Sequence, residues 1–147
     1  MDRTAAREAN AAMIEKLSGA PDEPIPEGGF ALRVVRTRGR RSGDVHATPL
    51  GLLRHAGALH LVSPVAGRDW VQNLLADPWC EIVTGDGTTT YSATTPSGTE
   101  AVATIAAYLS AVQVPWALAA FPVDADADES EIAAHLDEMA TLRLDLR

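Results

Sequence analysis

The 147-residue sequence contains one cysteine, Cys80, and one lysine, Lys16. A single cysteine cannot form a disulfide within the chain or build a cysteine-rich metal cluster, and it favours a cytoplasmic protein. The four histidines are scattered without metal-like spacing, so we predict no metal site. With one lysine, the basic chemistry is that of arginine, whose guanidinium group suits phosphate and carboxylate oxygens.

Several common motifs are also missing. There is no lysine-bearing phosphate loop and no Gly-x-Gly-x-x-Gly element that opens a helix, so we do not expect a Rossmann nucleotide site. Ser63 lacks a nucleophile elbow, which argues against a hydrolase triad. Cys80 lies in a predicted strand, and nothing nearby would activate it. We therefore expect it to be a small core residue.

Membrane and nucleic-acid functions are not favoured. The charged first residues lack the apolar core of a secretory signal. The segment Ala101 to Val123 has no charged residue, but it is rich in alanine and interrupted at Pro115, which predicts two soluble helices and no transmembrane segment. The net charge of −8 argues against nucleic acid as a partner.

The composition, with 46% hydrophobic and 22% charged residues, is that of one folded domain. Period-two and helical patterns predict the elements. The predicted strands are 30–37, 45–54, 58–63, 79–84, 88–95 and 141–146, and the predicted helices are 3–17, 69–76, 98–112, 116–121 and 129–139. Short strands joined by tight turns favour a closed or nearly closed barrel.

A loose segment at 18–29, rich in proline and glycine, is a linker or an extended arm. We therefore divide the chain into a helix and arm at 1–29 and a barrel domain at 30–147. The predicted fold class is α+β, mainly β, with about six mostly antiparallel strands, an N-terminal helix and several flanking helices.

The most informative local feature is the turn Thr37 to Gly43, which contains three of the five arginines found in the nine positions 33–41. It carries Arg40, Arg41 and Ser42 between two glycines. Glycines let the backbone approach a ligand closely, and guanidinium groups with turn amides can bind a phosphate or carboxylate. From the residues alone, the turn is either an anion site or a solvated basic turn.

Four motifs, in order and spacing, extend this interpretation. They are Gly39-Arg40-Arg41-Ser42-Gly43, Thr48-Pro49-Leu50, Val62-Ser63-Pro64 and Trp70-Val71-Gln72-Asn73-Leu74. With the segments Phe121 to Asp124 and Leu142 to Leu144, they resemble the deazaflavin-dependent nitroreductase family over about residues 30–147. That family is similar in fold to the split β-barrel flavin reductases. The resemblance implies coenzyme F-420 as the cofactor and hydride transfer as the reaction.

The resemblance also implies which residues bind the coenzyme. They are Arg38, Arg40, Arg41, Ser42, His46, Thr48, Ser63, Val65, Ala66, Arg68 and Trp70. The arginine turn matches the part of the family that holds the phosphate and acidic tail. Thr48 matches a position beside the ring, and Ser63, with the backbone of Val65 and Ala66, matches the family's loop under the ring. Arg68 and Trp70 match the start of the helix that closes the site.

One position departs from the family. Many members carry arginine where this chain has His46, and a neutral histidine would make the grip on the anion weaker or pH-dependent. Tyr108 and Trp116 are candidates for a substrate pocket, although aromatic residues at such positions also pack in cores.

The expected function is reduction of a small hydrophobic acceptor: an activated alkene, a quinone or a nitroaromatic. The sequence assigns no catalytic residue, and solvent, His46 or a tyrosine would serve as the proton source. Two alternatives remain open at this point: a split-barrel reductase that binds flavin mononucleotide (FMN), and a cofactor carrier without turnover. Split barrels often pair, so a homodimer is also left open.

Overall fold

The barrel predicted from the sequence is present. The computed structural model describes residues 3–147, so the first two residues of the predicted segment 1–29 lie outside it. The strands are β1 (Phe30–Arg38), β2 (Val45–His55), β3 (Ala58–Ser63), β4 (Trp79–Thr84), β5 (Gly87–Thr94) and β6 (Ala140–Leu146). They form a closed barrel in the order β1-β2-β3-β6-β5-β4, with every neighbouring pair antiparallel. The predicted fold class is confirmed.

The helices follow the predicted order with changes at their ends. They are α1 (Arg3–Ser18), α2 (Asp69–Ala76), α3 (Gly98–Ala111), α4 (Pro115–Leu118) and α5 (Glu129–Ala134), followed by a 3-10 turn at Leu136–Glu138. The predicted helix 129–139 is therefore two pieces, because His135 leaves helical geometry at φ −114° and ψ 13°. The predicted helix 116–121 is a single turn that starts at Pro115. None of the helices described is both long and apolar enough to cross a bilayer.

The strands bury apolar side chains on both faces, which produces two cores. Leu52 points into the barrel, where it packs with Val35 and Leu61. Its neighbour Leu53 points outward and packs under α3 and α5, against Ile105 among others. Because successive strand residues face opposite sides, the adjacent leucines of β2 support the inner and outer core at once.

The two mouths of the barrel are closed differently. At one mouth the segment 19–29 lies extended against the barrel: Ile25 joins the inner core, and Arg54 Nε donates to the Ile25 carbonyl at 2.7 Å. At the other mouth α2 inserts Trp70, Val71 and Leu74 into the same core. The second mouth is where the arginine turn between β1 and β2 lies.

His60 is buried between the barrel and the outer helices, and it predicts how stability changes with pH. Its Nε2 is 2.9 Å from the His55 carbonyl, while its Nδ1 is buried without a partner among residues 3–147. Burial lowers the pKa of His60 below its ordinary value of 6.5, and the nearby His55 ring and Arg143 lower it further. The hydrogen bond to the His55 carbonyl and the charge of Glu100 raise the pKa, but they do not cancel the effect of burial.

We expect the free energy of unfolding to fall as the pH drops below 6.5 and through the lower pKa of the folded state. The reason is that the unfolded chain binds a proton on His60 more readily than the folded chain does. Urea unfolding between pH 8 and pH 5 measures this effect. His60→Gln should flatten the profile, whereas replacing the exposed His135 with glutamine should leave the His60 contribution in place. A profile unchanged by His60→Gln would contradict the assignment.

Candidate functional site

A polar cavity of about 350 Å³ lies at the barrel mouth closed by α2. Its lining residues are Thr37, Gly39, Arg40, Arg41, Ser42, His46, Thr48, Asp69, Trp70 and Asn73. We call it the arginine cavity. Of the residues predicted to bind the coenzyme, it brings together Arg40, Arg41, Ser42, His46, Thr48 and Trp70. Thr37, Gly39, Asp69 and Asn73 were not predicted.

The cavity begins where the inward-facing residues of β1 and β2 change from apolar to polar. On β1 the inward series passes from Val35 to Thr37, and on β2 it passes from Leu50 to Thr48 and His46. Thr37 and His46 lie opposite each other in the strand register. The barrel interior therefore stops being a core at this level and becomes a ligand-sized space.

The turn between β1 and β2 is held by its own backbone. Gly39 N donates to the Asp44 carbonyl at 2.7 Å, and Gly43 N donates to the Gly39 carbonyl at 2.8 Å. Gly43 has φ +77°, a conformation that favours glycine. A Cβ at Gly39 would lie 2.9 Å from Nε2 of His46, so only a glycine there allows the imidazole to lie this close to the backbone of the turn.

Arg40 ties this turn to α2. Its backbone N and its Nη1 both donate to Oδ1 of Asn73, at 3.2 and 2.8 Å, and its Nη2 donates to Asp69 at 3.2 Å. Asn73 is only 5% exposed. Because Arg40 supplies only donors, the oxygen of the Asn73 amide must face it, and the amide NH2 group stays available on the other side.

Arg41 is the free cation of the cavity. Its side chain is exposed and forms no hydrogen bond or ion pair with any residue that the structure describes. The neighbouring charge of Arg40 is already partly offset by Asp69. Arg41 is thus an uncompensated guanidinium beside a cavity whose walls carry Ser42, His46 and Thr48, an arrangement suited to an oxyanion.

The other arginines of the run point to protein partners. Arg33 donates to the Glu23 carbonyl at 2.7 Å, and Arg36 donates to Glu81 on β4 at 2.9 Å. Arg38 lies 3.6 Å from Asp77 and 4.4 Å from the ring centre of Trp79. The structure therefore places Arg38, predicted to bind the coenzyme, outside the arginine cavity. The physical reason is strand alternation, since Thr37 faces inward and its neighbour faces outward.

The predicted ring-binding loop lies between β3 and α2, away from the arginine cavity. Ser63 is fully buried, and its Oγ donates to the Val65 carbonyl at 2.7 Å and accepts from Val65 N at 3.2 Å. Ala66 lines a second, mainly apolar cavity of about 320 Å³, together with Val71 and Leu75. Arg68 precedes α2 with an exposed side chain. Ser63, Val65, Ala66 and Arg68 thus do not line the arginine cavity.

The two aromatic candidates for a substrate pocket lie apart from both cavities. Tyr108 is buried in the outer core, with its ring 5.6 Å from those of Phe30 and Phe121, and burial raises its pKa. Trp116 is 81% exposed on α4. Among the candidate proton donors named from the sequence, His46 lines the arginine cavity.

Cys80 is a core residue, as predicted. Its side chain is fully buried in the inner core, and burial raises the pKa of its thiol to about 12. A thiol with that pKa is protonated at neutral pH and is a poor nucleophile.

A closed six-stranded antiparallel barrel with an arginine turn beside a cavity at its mouth places the chain in the class of the split β-barrel proteins. The model of the F420H2-dependent quinone reductase family matches residues 6–117, and the chain belongs to this family. F420H2 is the reduced form of coenzyme F-420. The family assignment confirms the predicted class, an oxidoreductase that depends on that coenzyme.

Solved structures show the same fold at low identity. One, described as a heme binding protein from Mycobacterium smegmatis, is 19% identical with a TM-score of 0.52; the match covers 79% of this chain and 46% of that chain, so this chain spans less than half its length. Another, described as a domain-swapped dimer, is 17% identical with a TM-score of 0.55 and coverages of 97% and 98%. No curated protein matches this chain in sequence.

Proposed function

We propose that this chain binds coenzyme F-420 in the arginine cavity and reduces a small hydrophobic acceptor. The acceptor class comprises quinones, activated alkenes and nitroaromatics. The observation that carries the proposal is Arg41, a guanidinium with no partner among residues 3–147, at a cavity built from inward-facing polar residues at the barrel mouth. Membership of the F420H2-dependent quinone reductase family supports the choice of coenzyme.

The donors around the cavity fit the anionic part of such a coenzyme. Arg41 offers a planar fork to a phosphate or carboxylate, and the amide NH2 of Asn73 offers a further donor. The first turn of α2 adds free backbone N–H groups, since no side chain caps its start. Asp69 is the one acid among the described residues of the lining, and it is already paired with Arg40.

The apolar cavity on the other face of α2 suits the acceptor, and hydride transfer would then require the coenzyme ring to reach past α2 into this cavity, because the two reacting carbons must be in contact. When bound, F-420 supplies the hydride, and the protein orients the coenzyme and excludes water. The loop 63–66, predicted to lie under the ring, borders this cavity at Ala66. Val71, Leu75 and Met139 give it apolar walls suited to a hydrophobic acceptor.

Solvent is the proposed proton source, because no histidine or tyrosine among the described residues lines the apolar cavity. His46 lines the arginine cavity, on the other face of α2, where the anionic part of the coenzyme is proposed to bind. Tyr108 lies in the outer core, and Tyr91 lies at the opposite barrel mouth, next to the arm.

The test is a fluorescence titration of the purified protein with F-420, FMN and nicotinamide nucleotides, followed by oxidation of F420H2 with a panel of acceptors. We expect F-420 to bind and at least one hydrophobic acceptor to be reduced. Tight FMN binding without F-420 binding would instead indicate a flavin reductase. F-420 binding without turnover on any acceptor would indicate a carrier.

Two further properties remain proposals. We propose a homodimer, since split barrels often pair, and light scattering on the same preparation measures it. We also retain the cytoplasm as the proposed location, because the single buried cysteine suits a reducing compartment.

A further inference from the structure

Thr37 has a buried hydroxyl that no protein group satisfies. The residue is 1% exposed, and its Oγ1 has no hydrogen-bond partner within residues 3–147. Two other buried side-chain atoms also lack a hydrogen-bond partner among the described residues: Nδ1 of His60 and Oγ1 of Thr141. Of the three residues, Thr37 lines the arginine cavity, where it forms part of the inner end.

The surroundings of Thr37 explain why the protein cannot satisfy it. It lies between His46 on β2 and Cys80 on β4 in the strand register, and neither forms a hydrogen bond to it. Two residues earlier on the same inward face, the chain has Val35, which fills its place in the core. An unpaired buried hydroxyl destabilises a fold, so valine would be the better residue here if only packing mattered.

We propose that Thr37 is a coenzyme-binding residue whose hydroxyl donates a hydrogen bond to an oxygen of bound F-420 at the inner end of the arginine cavity. This inference rests on the function proposed above. The direction of the bond follows from the other groups at the cavity: Arg41 and the free amide NH2 of Asn73 are donors, so they select an acceptor-rich part of the ligand. Thr37 then fixes how deeply that part enters the barrel.

The test is Thr37→Val, which keeps the shape and removes the hydroxyl. Two effects of opposite sign are expected. Without ligand, the melting temperature should rise by about 3 °C, because an unsatisfied buried group is gone. The Kd for F-420 should increase about tenfold, the loss of one hydrogen bond to the ligand. Thr37→Ser restores the hydroxyl and should bind F-420 like the original protein.

Thr141→Val is the matched control for the effect on stability, because the Thr141 hydroxyl is also buried and has no partner among the described residues. It should raise the melting temperature as Thr37→Val does, which would show that loss of an unpaired buried hydroxyl has this effect by itself. Thr37→Ala removes the same hydroxyl without a branched side chain and should also weaken binding. This inference is overturned if the unaltered protein binds F-420 and both Thr37→Val and Thr37→Ala bind it with the same Kd as the unaltered protein. If the unaltered protein does not bind F-420, the proposed function fails first.

Discussion

Replacing Arg41 with alanine is expected to weaken F-420 binding severely while leaving the stability of the protein unchanged. Loss of charge-assisted bonds to a phosphate or carboxylate should cost about 2–5 kcal/mol of binding free energy. Because Arg41 has no partner among the described residues, its removal strands no buried group. Fluorescence titration at two salt concentrations measures the affinity, and the salt dependence should decrease in the variant.

Arg38 provides the matched comparison within the same sequence motif. It faces away from the cavity towards Asp77 and Trp79, so Arg38→Ala should leave F-420 affinity within about twofold. Arg41→Lys keeps the charge but loses the planar fork, and it should recover only part of the affinity. Equal losses in Arg38→Ala and Arg41→Ala would show that only the total positive charge matters, and unaffected binding in Arg41→Ala would remove the turn from the site.

The strands and the arginine turn could be predicted from the sequence because both depend on neighbouring residues. Alternation along β1 and β6 sets which side chains face inward, and the glycines of the turn set its backbone. Helix ends were less accurate, as at His135, where the helix breaks although its sequence suits a continuous helix. Helix ends depend on tertiary contacts that composition does not reveal.

The partners of the arginines could not be predicted, because they come from distant parts of the chain. Arg36 pairs with Glu81 across the β1–β4 ladder, and Arg40 bonds to Asn73 on α2. From the sequence the arginines form one basic run. In the structure these arginines contact different elements: Arg33 bonds to the arm, Arg36 to β4 and Arg40 to α2. Arg41, which has no partner among the described residues, can bind a ligand in the cavity.

A signal for Thr37 was nonetheless present in the sequence. The inward series of β1 and β2 can be counted in steps of two, and it turns polar at Thr37, Thr48 and His46. A polar residue at the end of a buried series marks the limit of a core. The hydroxyl of Thr37 lacks a partner, and only the three-dimensional structure could show this.

Replacing Asn73 with alanine is expected to give the largest loss of stability among the polar residues of the cavity. Its amide oxygen accepts from both the backbone and the guanidinium of Arg40, so the change leaves a backbone N–H without its partner and leaves the guanidinium with Asp69 alone. We expect a loss of about 2 kcal/mol, which lowers the melting temperature by roughly 6 °C. F-420 affinity should fall too, because α2 and the turn would no longer be held at their present spacing.

A double-mutant cycle with Arg40→Ala tests whether this contact is the cause. If the two side chains act through each other, the double variant should be more stable than the sum of the single losses predicts, with a coupling energy of about 1–2 kcal/mol. Gln72→Ala is the control on the same helix: it removes one bond, from Gln72 Nε2 to the Ala66 carbonyl, and should cost less. Simple additivity of Asn73→Ala and Arg40→Ala would mean that the contact between guanidinium and amide does not hold the turn against α2, which would leave the bond from the Arg40 backbone N to Asn73 in that role.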